Sequence, residues 1–167
     1  MQKKSLLVAD PYNNKQLEMI SSFESENELG GVLTNRLREI PKRVTREKYE
    51  QFQRTSNELE QILLLSDGEQ VIDYCLLNAY RDIRSCYLTL PTSKMVSKSK
   101  KMYSLATEYA QGLGMLEVFI NVESYDRALQ ESLEIEGYES LGSENGITSF
   151  VKSFEKEGSL DGNNKRY

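Results

Sequence analysis

One stretch constrains the chain more than any other. An apolar run, Ile83 to Leu90, stops at Pro91, and a hydroxyl-rich basic turn follows. The turn leads into an amphipathic helix and then a second apolar run, Leu116 to Val122. In the helix Met102, Leu105, Ala106, Tyr109, Ala110 and Leu113 recur at i, i+3, i+4, i+7, i+8 and i+11, which predicts a helix over 100–112. Gly112 and Gly114 mark its end. Two strands joined by a crossover of this length are expected to be parallel.

The turn itself is chemically odd. Lys94, Lys98, Lys100 and Lys101 carry four positive charges with no acid between positions 94 and 101, in a chain whose net charge is -5. Cations are the wrong sign for a helix N-terminus, which favours anions. A phosphate-bearing ligand on the free backbone N–H groups resolves the conflict. A solvated lysine-rich helix start is the competing reading.

The strands before this unit read as an antiparallel meander over 59–90. Gln61 to Leu65 and Gln70 to Leu77 flank Asp67-Gly68, a hairpin signal, and 78–82 reads as the next turn. Upstream, Ser5 to Ala9 reads as a buried strand. Leu17, Ile20 and Phe23 predict a helix over 14–26. A second helix from Val32 is expected to stop at Pro41. Thr45 is placed to cap a third, about 46–56, with Val44 and Tyr49 as a hydrophobic staple. Downstream, 116–122 reads as a strand buried on both faces. Ser124 is a candidate cap for a helix that faces Ala128, Leu129, Ser132 and Leu133 inward and stops at Gly137. Two closing strands, 138–141 and 147–154, then surround residues 142–146. The sum is an α+β domain on a mixed, mostly antiparallel sheet, expected to span 1–154, with a polar disordered tail at 155–167.

Composition removes several chemistries. The absence of histidine excludes Ser-His-Asp and Cys-His triads and makes a conventional zinc site unexpected. Cys75 and Cys86, without CxxC spacing, read as small buried hydrophobes. Asp, Glu, Tyr, Cys, Lys or water must do any acid–base work. The acidic balance argues against nucleic acid as a partner. No apolar run reaches membrane-spanning length, and the four-residue apolar run near the N-terminus is too short for a signal peptide, so a cytoplasmic protein is expected.

With these elements in order, the chain resembles the GNAT superfamily of acyl-CoA N-acyltransferases, over about 59–154 by motif and over 5–56 by element order. The family's pyrophosphate loop, Arg/Gln-x-x-Gly-x-Gly/Ala, corresponds to Lys94-Met95-Val96-Ser97-Lys98-Ser99. Lys94 keeps the positive charge, and serine replaces both glycines. A Cβ holds backbone further from phosphate, while a serine hydroxyl can donate to it. The segment 118–128 is similar to the family's fifth strand and Asn-x-x-Ala helix start, with Asp126 in the Asn position. Glu136-Gly137-Tyr138-Glu139 is similar to Leu-Gly-Phe-Glu. The family's thiol-protonating tyrosine, four residues before that glycine, is here Leu133.

The resemblance implies acetyl-CoA or another acyl-CoA as cofactor and a small-molecule or peptide amine as acceptor. It implies pantetheine contacts from Leu88, Thr89 and Leu90, phosphate contacts from Lys94 to Ser99, and a splayed gap between the two parallel strands. Glu123 and Asp73 are candidate bases acting through water. Tyr125, Tyr87 and Tyr138 are candidate thiol acids. Acids at such places are more often solvated or structural, and tyrosines more often packing residues with a polar tip. A domain that has lost its chemistry and binds CoA, a nucleotide or a protein is the alternative. Edge pairing of the 59–90 strands offers a route to a homodimer. Arg36, Arg38, Lys42, Arg43 and Arg46, interleaved with glutamates, read either as a mixed-charge surface or as a seat for an acidic substrate.

Overall fold

A computed structural model of the protein describes residues 3–89 and 100–154. The elements follow the order β1 (Ser5–Val8), α1 (Asn14–Glu26), α2 (Val32–Arg43), α3 (Arg46–Thr55), β2 (Glu58–Ser66), β3 (Val71–Tyr80), β4 (Ser85–Thr89), α4 (Lys100–Gly112), β5 (Glu117–Glu123), α5 (Arg127–Ile135), β6 (Glu139–Glu144) and β7 (Ile147–Ser153). The expected tail at 155–167 lies outside the described residues.

Seven strands form a sheet of order β1-β2-β3-β4-β5-β7-β6. Among the described residues only β4 and β5 pair in parallel, across α4, as the crossover length predicts. Side chains alternate across the sheet, so each face carries its own core. On one face Leu63, Leu65, Cys75, Leu77, Cys86, Leu88, Val118 and Ile120 pack with Met102, Ala106 and Ala110 of α4 and with Leu129 and Leu133 of α5. On the other, Ile62, Leu64 and Tyr74 pack with Leu17, Ile20 and Phe23 of α1 and with Leu33 and Leu37 of α2. Both cysteines are buried and free.

Several expectations are corrected. β1 is an edge strand rather than a buried one, and Leu7 is exposed, because β2 is its single neighbour. β2, β3 and β4 each have a neighbour on both sides, although β1 covers only Leu63 to Ser66 of β2. β3 continues to Tyr80 and the turn moves to 81–84. Asn78 and Tyr80 are laddered to Glu60 and Glu58 on one side and to Tyr87 and Ser85 on the other. Pro41 sits inside the last turn of α2, which runs on to Arg43. One backbone donor is lost there, but the helix is already ending.

β5 buries one face alone. Val118, Ile120 and Val122 lie under the helices, while Glu117, Asn121 and Glu123 are exposed on the opposite side. Asp126, not Ser124, caps α5, its carboxylate accepting from the Leu129 N–H at 3.1 Å. The Ser124 hydroxyl instead pairs with that of Thr148 at 2.8 Å. Ala128 faces solvent, leaving Leu129 and Leu133 to anchor the helix. The last hairpin turns on two residues, Asn145 (φ 52°) and Gly146 (φ 81°), not five. Two successive positive φ values suit a tight turn between twisted strands.

Candidate functional site

The site begins where the parallel ladder stops. Pairing runs from Ser85↔Glu117 to Leu88↔Ile120 and no further among the described residues. Beyond that row Thr89 pairs with Leu76 of β3. Asn121, Val122 and Glu123 pair with Ser149, Thr148 and Ile147 of β7 and, among the described residues, have no partner towards β4. No described residue pairs with that side of β5 beyond Ile120, which is where the resemblance implies a splayed gap. Backbone groups at such a gap can hold an extended amide-bearing arm by strand-like hydrogen bonds. α4 starts at this end of the sheet, with Lys100 and Lys101 and no acid in its first turn.

Leu88 is buried in the core and Thr89 is exposed, so this pair can offer little but backbone. Leu90, Lys94, Met95, Val96, Ser97, Lys98 and Ser99 lie outside the described residues. Asp126 is occupied as the α5 cap.

The candidate bases sit at the same end of the sheet but on opposite faces. Asp73 is buried on the α4 side, its carboxylate accepting from the Tyr74 N–H at 2.8 Å. Glu123 ends β5 on the open face and is exposed. Tyr125, in the turn after β5, is 73% exposed. Tyr138 is a packing residue: it is buried and shares a 2.6 Å hydrogen bond with the Thr107 hydroxyl. Burial pushes its phenol well above the ordinary tyrosine range. Leu133 is completely buried between α5 and the sheet, so the site of the family's thiol acid is filled by hydrocarbon.

Sequence reading passed over Tyr103. It is buried in the first turn of α4 and lines a small cavity of about 210 Å³ together with Leu133 and Ser132. Burial first, then the Asp73 carboxylate, raises its phenol far above normal. The available signal was a second stripe, Tyr103, Ala106, Thr107 and Ala110, beside the one used to predict the helix.

The basic cluster of the first helices resolves into surface pairs. Arg36 meets Glu60, Lys42 meets Glu39 at 2.8 Å, and Arg46 meets Asp10 at 3.2 Å. Arg36 and Arg43 line a cavity of about 750 Å³ between α2, α3 and β2, floored by Ala9, Leu37 and Ile62. On the open face of β4 and β5, Tyr87 stacks on Phe119 with centroids 5.1 Å apart, and Tyr80 meets Tyr87 edge-on at 6.4 Å. Among the described residues no group of three or more metal-ligating side chains could hold an ion, and no helix is long and apolar enough to cross a membrane.

No family model matches the sequence, and no curated protein sequence matches it. The backbone does match solved structures. It is similar to a chimera of the Vibrio cholerae spermidine N-acetyltransferase SpeG and hSSAT at 14% identity, over 90% of this chain and 94% of that one, with a TM-score of 0.59. An acetyltransferase from Thermus thermophilus matches at 13% identity, over 92% and 100%, with a TM-score of 0.58. YncA from Salmonella typhimurium, described as a putative acetyltransferase and solved with acetyl-CoA, matches at 15% identity, over 96% and 99%, with a TM-score of 0.55. Strand order, the parallel pair and its crossover helix agree with this likeness over nearly the whole chain: the protein has the fold of the GNAT N-acetyltransferases.

Proposed function

We propose that residues 1–154 form a single acyl-CoA-dependent N-acyltransferase unit that transfers an acetyl or other acyl group to an amine by direct attack. The observation that carries this reading is the end of the β4–β5 ladder at Leu88 and Ile120, beside the start of α4. An acyl-CoA suits the described residues: backbone groups of β5 beyond Ile120, which no described residue pairs with on the β4 side, would take the pantetheine amides, and a lysine-bearing helix start would take phosphate. In this reading the backbone of Leu88, Thr89 and Leu90 holds the arm, and Lys94 to Ser99 hold the pyrophosphate. Asp126 positions α5 rather than touching the cofactor.

The thioester supplies an electrophilic carbonyl when bound. The amine nitrogen forms the new C–N bond as the C–S bond breaks. The ammonium proton passes through water to Glu123, which the open face leaves solvated at the lip of the gap. The leaving sulfur takes its proton from water or from Tyr125, since Leu133 has none to give.

The buried leucine at 133 and the serines at 97 and 99 favour a second reading, a non-catalytic module that retains CoA, nucleotide or protein binding. A thermal-shift titration with acetyl-CoA, CoA and dephospho-CoA, followed by thiol release with an amine panel, separates the two. Ligand at about a hundred times its dissociation constant stabilises by roughly 2.7 kcal/mol. At this chain length that raises the midpoint by roughly 5–10 °C. A shift that weakens with dephospho-CoA, together with thiol release, is the expected result. A shift without thiol release selects the binding module, and no shift at millimolar ligand overturns the acyl-CoA assignment.

A further inference from the structure

The sheet face opposite α4 is covered by α1 and α2 over β2 and β3, and by no described helix over β4, β5, β7 and β6. The uncovered half is not a bland surface. Tyr80, Tyr87 and Phe119 form a continuous aromatic strip across three strands, with Tyr87 46% exposed. The Tyr87↔Phe119 row is one residue before Leu88↔Ile120, the last row before the gap opens. A molecule approaching the gap from this face passes over the rings.

Charge on the same face has one sign. Register places Glu117, Phe119 and Glu123 on it along β5, and carries it through Val151 and Ile147 of β7 to Glu139 and Glu144 of β6. No described strand position on this face of β3 to β7 holds Lys or Arg. Among the described residues none of the four glutamates is in an ion pair, and Glu117 accepts from the Ser85 hydroxyl at 2.9 Å. Glu139 lies two strands from Phe119 in the same row, about 10 Å away. By contrast, the cations of α2 and α3 that face an acidic partner are already tied to Glu60, Glu39 and Asp10.

We propose that this face seats the acceptor, and that the acceptor is a primary amine carrying a second positive charge. This rests on the acyltransferase reading and gives it a substrate class. The reacting nitrogen enters the gap beyond Leu88. The second cation lies beside the exposed Tyr87 ring, attracted chiefly by the glutamates around the strip. An amine bearing a carboxylate is repelled from the same surface.

Three probes of equal chain length test the assignment: 1,4-diaminobutane, butylamine and 4-aminobutyrate. Each is titrated into the CoA-saturated protein at low salt and followed by NMR on the aromatic ring protons. The diamine is expected to bind at least tenfold more tightly than butylamine, with 4-aminobutyrate weakest. Salt should erode the ranking. In a Glu117→Gln, Glu139→Lys variant, whose changes are both on exposed side chains, the diamine's advantage falls at least threefold while the acetyl-CoA thermal shift persists. Equal binding of the three, no ring-proton response, or a preference for 4-aminobutyrate overturns the proposal. The acetyl-CoA shift and thiol release report on the acyltransferase reading independently, so the two can fail separately.

Discussion

Glu24 carries more structure than any other single polar residue. It is completely buried, and its carboxylate accepts from the Leu33 N–H at 3.1 Å, from the Thr34 N–H at 2.9 Å and from the Thr34 hydroxyl. These are the first donors of α2. Gly31 at the start of that helix has φ 68° and no side chain to cap with, so the cap comes from α1. Glu24→Ala leaves two buried N–H groups unpaired and should cost about 3 kcal/mol, read as a lowered urea midpoint at unchanged slope. Glu24→Gln keeps one acceptor and should cost less. A local cap such as Thr45, which serves a donor three residues on, was legible in sequence. Glu24 was not, because its partners are nine and ten residues away and the pairing exists only after α1 and α2 pack. At the proposed cofactor turn, Lys94→Glu should weaken acetyl-CoA binding at least tenfold and Lys100→Glu by less, measured by the same titration. Equal affinity in wild type and the Lys94 variant would remove the phosphate role from this lysine.

At the scale of elements, α3 stands apart. Its cap is well formed, but none of its residues is buried and Phe52 is 65% exposed. With no residue fully buried, this ten-residue helix leans on its cap and on surface ties such as Tyr49 against Tyr12 and Arg81 on the Gln53 carbonyl. Thr45→Ala should therefore cost about 1 kcal/mol of α3 stability and almost nothing globally. Amide exchange in 46–55 should accelerate several-fold while the urea midpoint stays within error. A matching loss in both would mean that α3 is coupled to the core after all. The sequence marked α3 through its cap and staple, both local devices. It did not mark how far β3 extends, because Asn78 and Tyr80 look like turn residues until β2 and β4 are there to pair with them. In the same way apolar residues on β5 suggested two buried faces. Burial is decided by whether a helix lies above, which β5 itself does not encode. The parallel pair and its helix were readable because their constraint, strand-turn-helix-strand, is contiguous. The faces of the gap were not, since Asp73 and Glu123 lie far apart in sequence and on opposite sides of the sheet.

For the whole molecule, the α4-side core gathers ionisable groups that fold in their neutral forms. Burial raises the Cys86 thiol from an ordinary 9.0 to about 12. Cys75, next to the Asp73 charge, is pushed higher still by burial first and that carboxylate second. Tyr103 and Tyr138 are raised on the same side, and Tyr74 reaches about 12 on the opposite face through burial, Glu24 and Asp73. The sign follows from linkage. These groups ionise more readily in the unfolded chain, so their contribution is complete below the unfolded pKa and is lost as pH rises towards the folded one. Stability should hold to about pH 8.5, then fall between about pH 9 and 12, thiols first and tyrosines after. Each ionising group adds a slope of up to about 1.4 kcal/mol per pH unit. Urea midpoints measured from about pH 7 to 10.5 give the limb directly. Cys86→Ala should make it shallower between about pH 9 and 10 whatever the substitution does to stability at neutral pH. Neither thiol should react with a disulfide reagent at about pH 8 until the protein is unfolded, because the thiolate is the nucleophile and the folded core suppresses it. A flat alkaline profile, or rapid labelling of the native protein, would show that water reaches the layer between α4 and the sheet. The alkaline limb is thus a measure of how tightly α4 closes over β3 and β4, the same packing that holds the start of α4 at that end of the sheet.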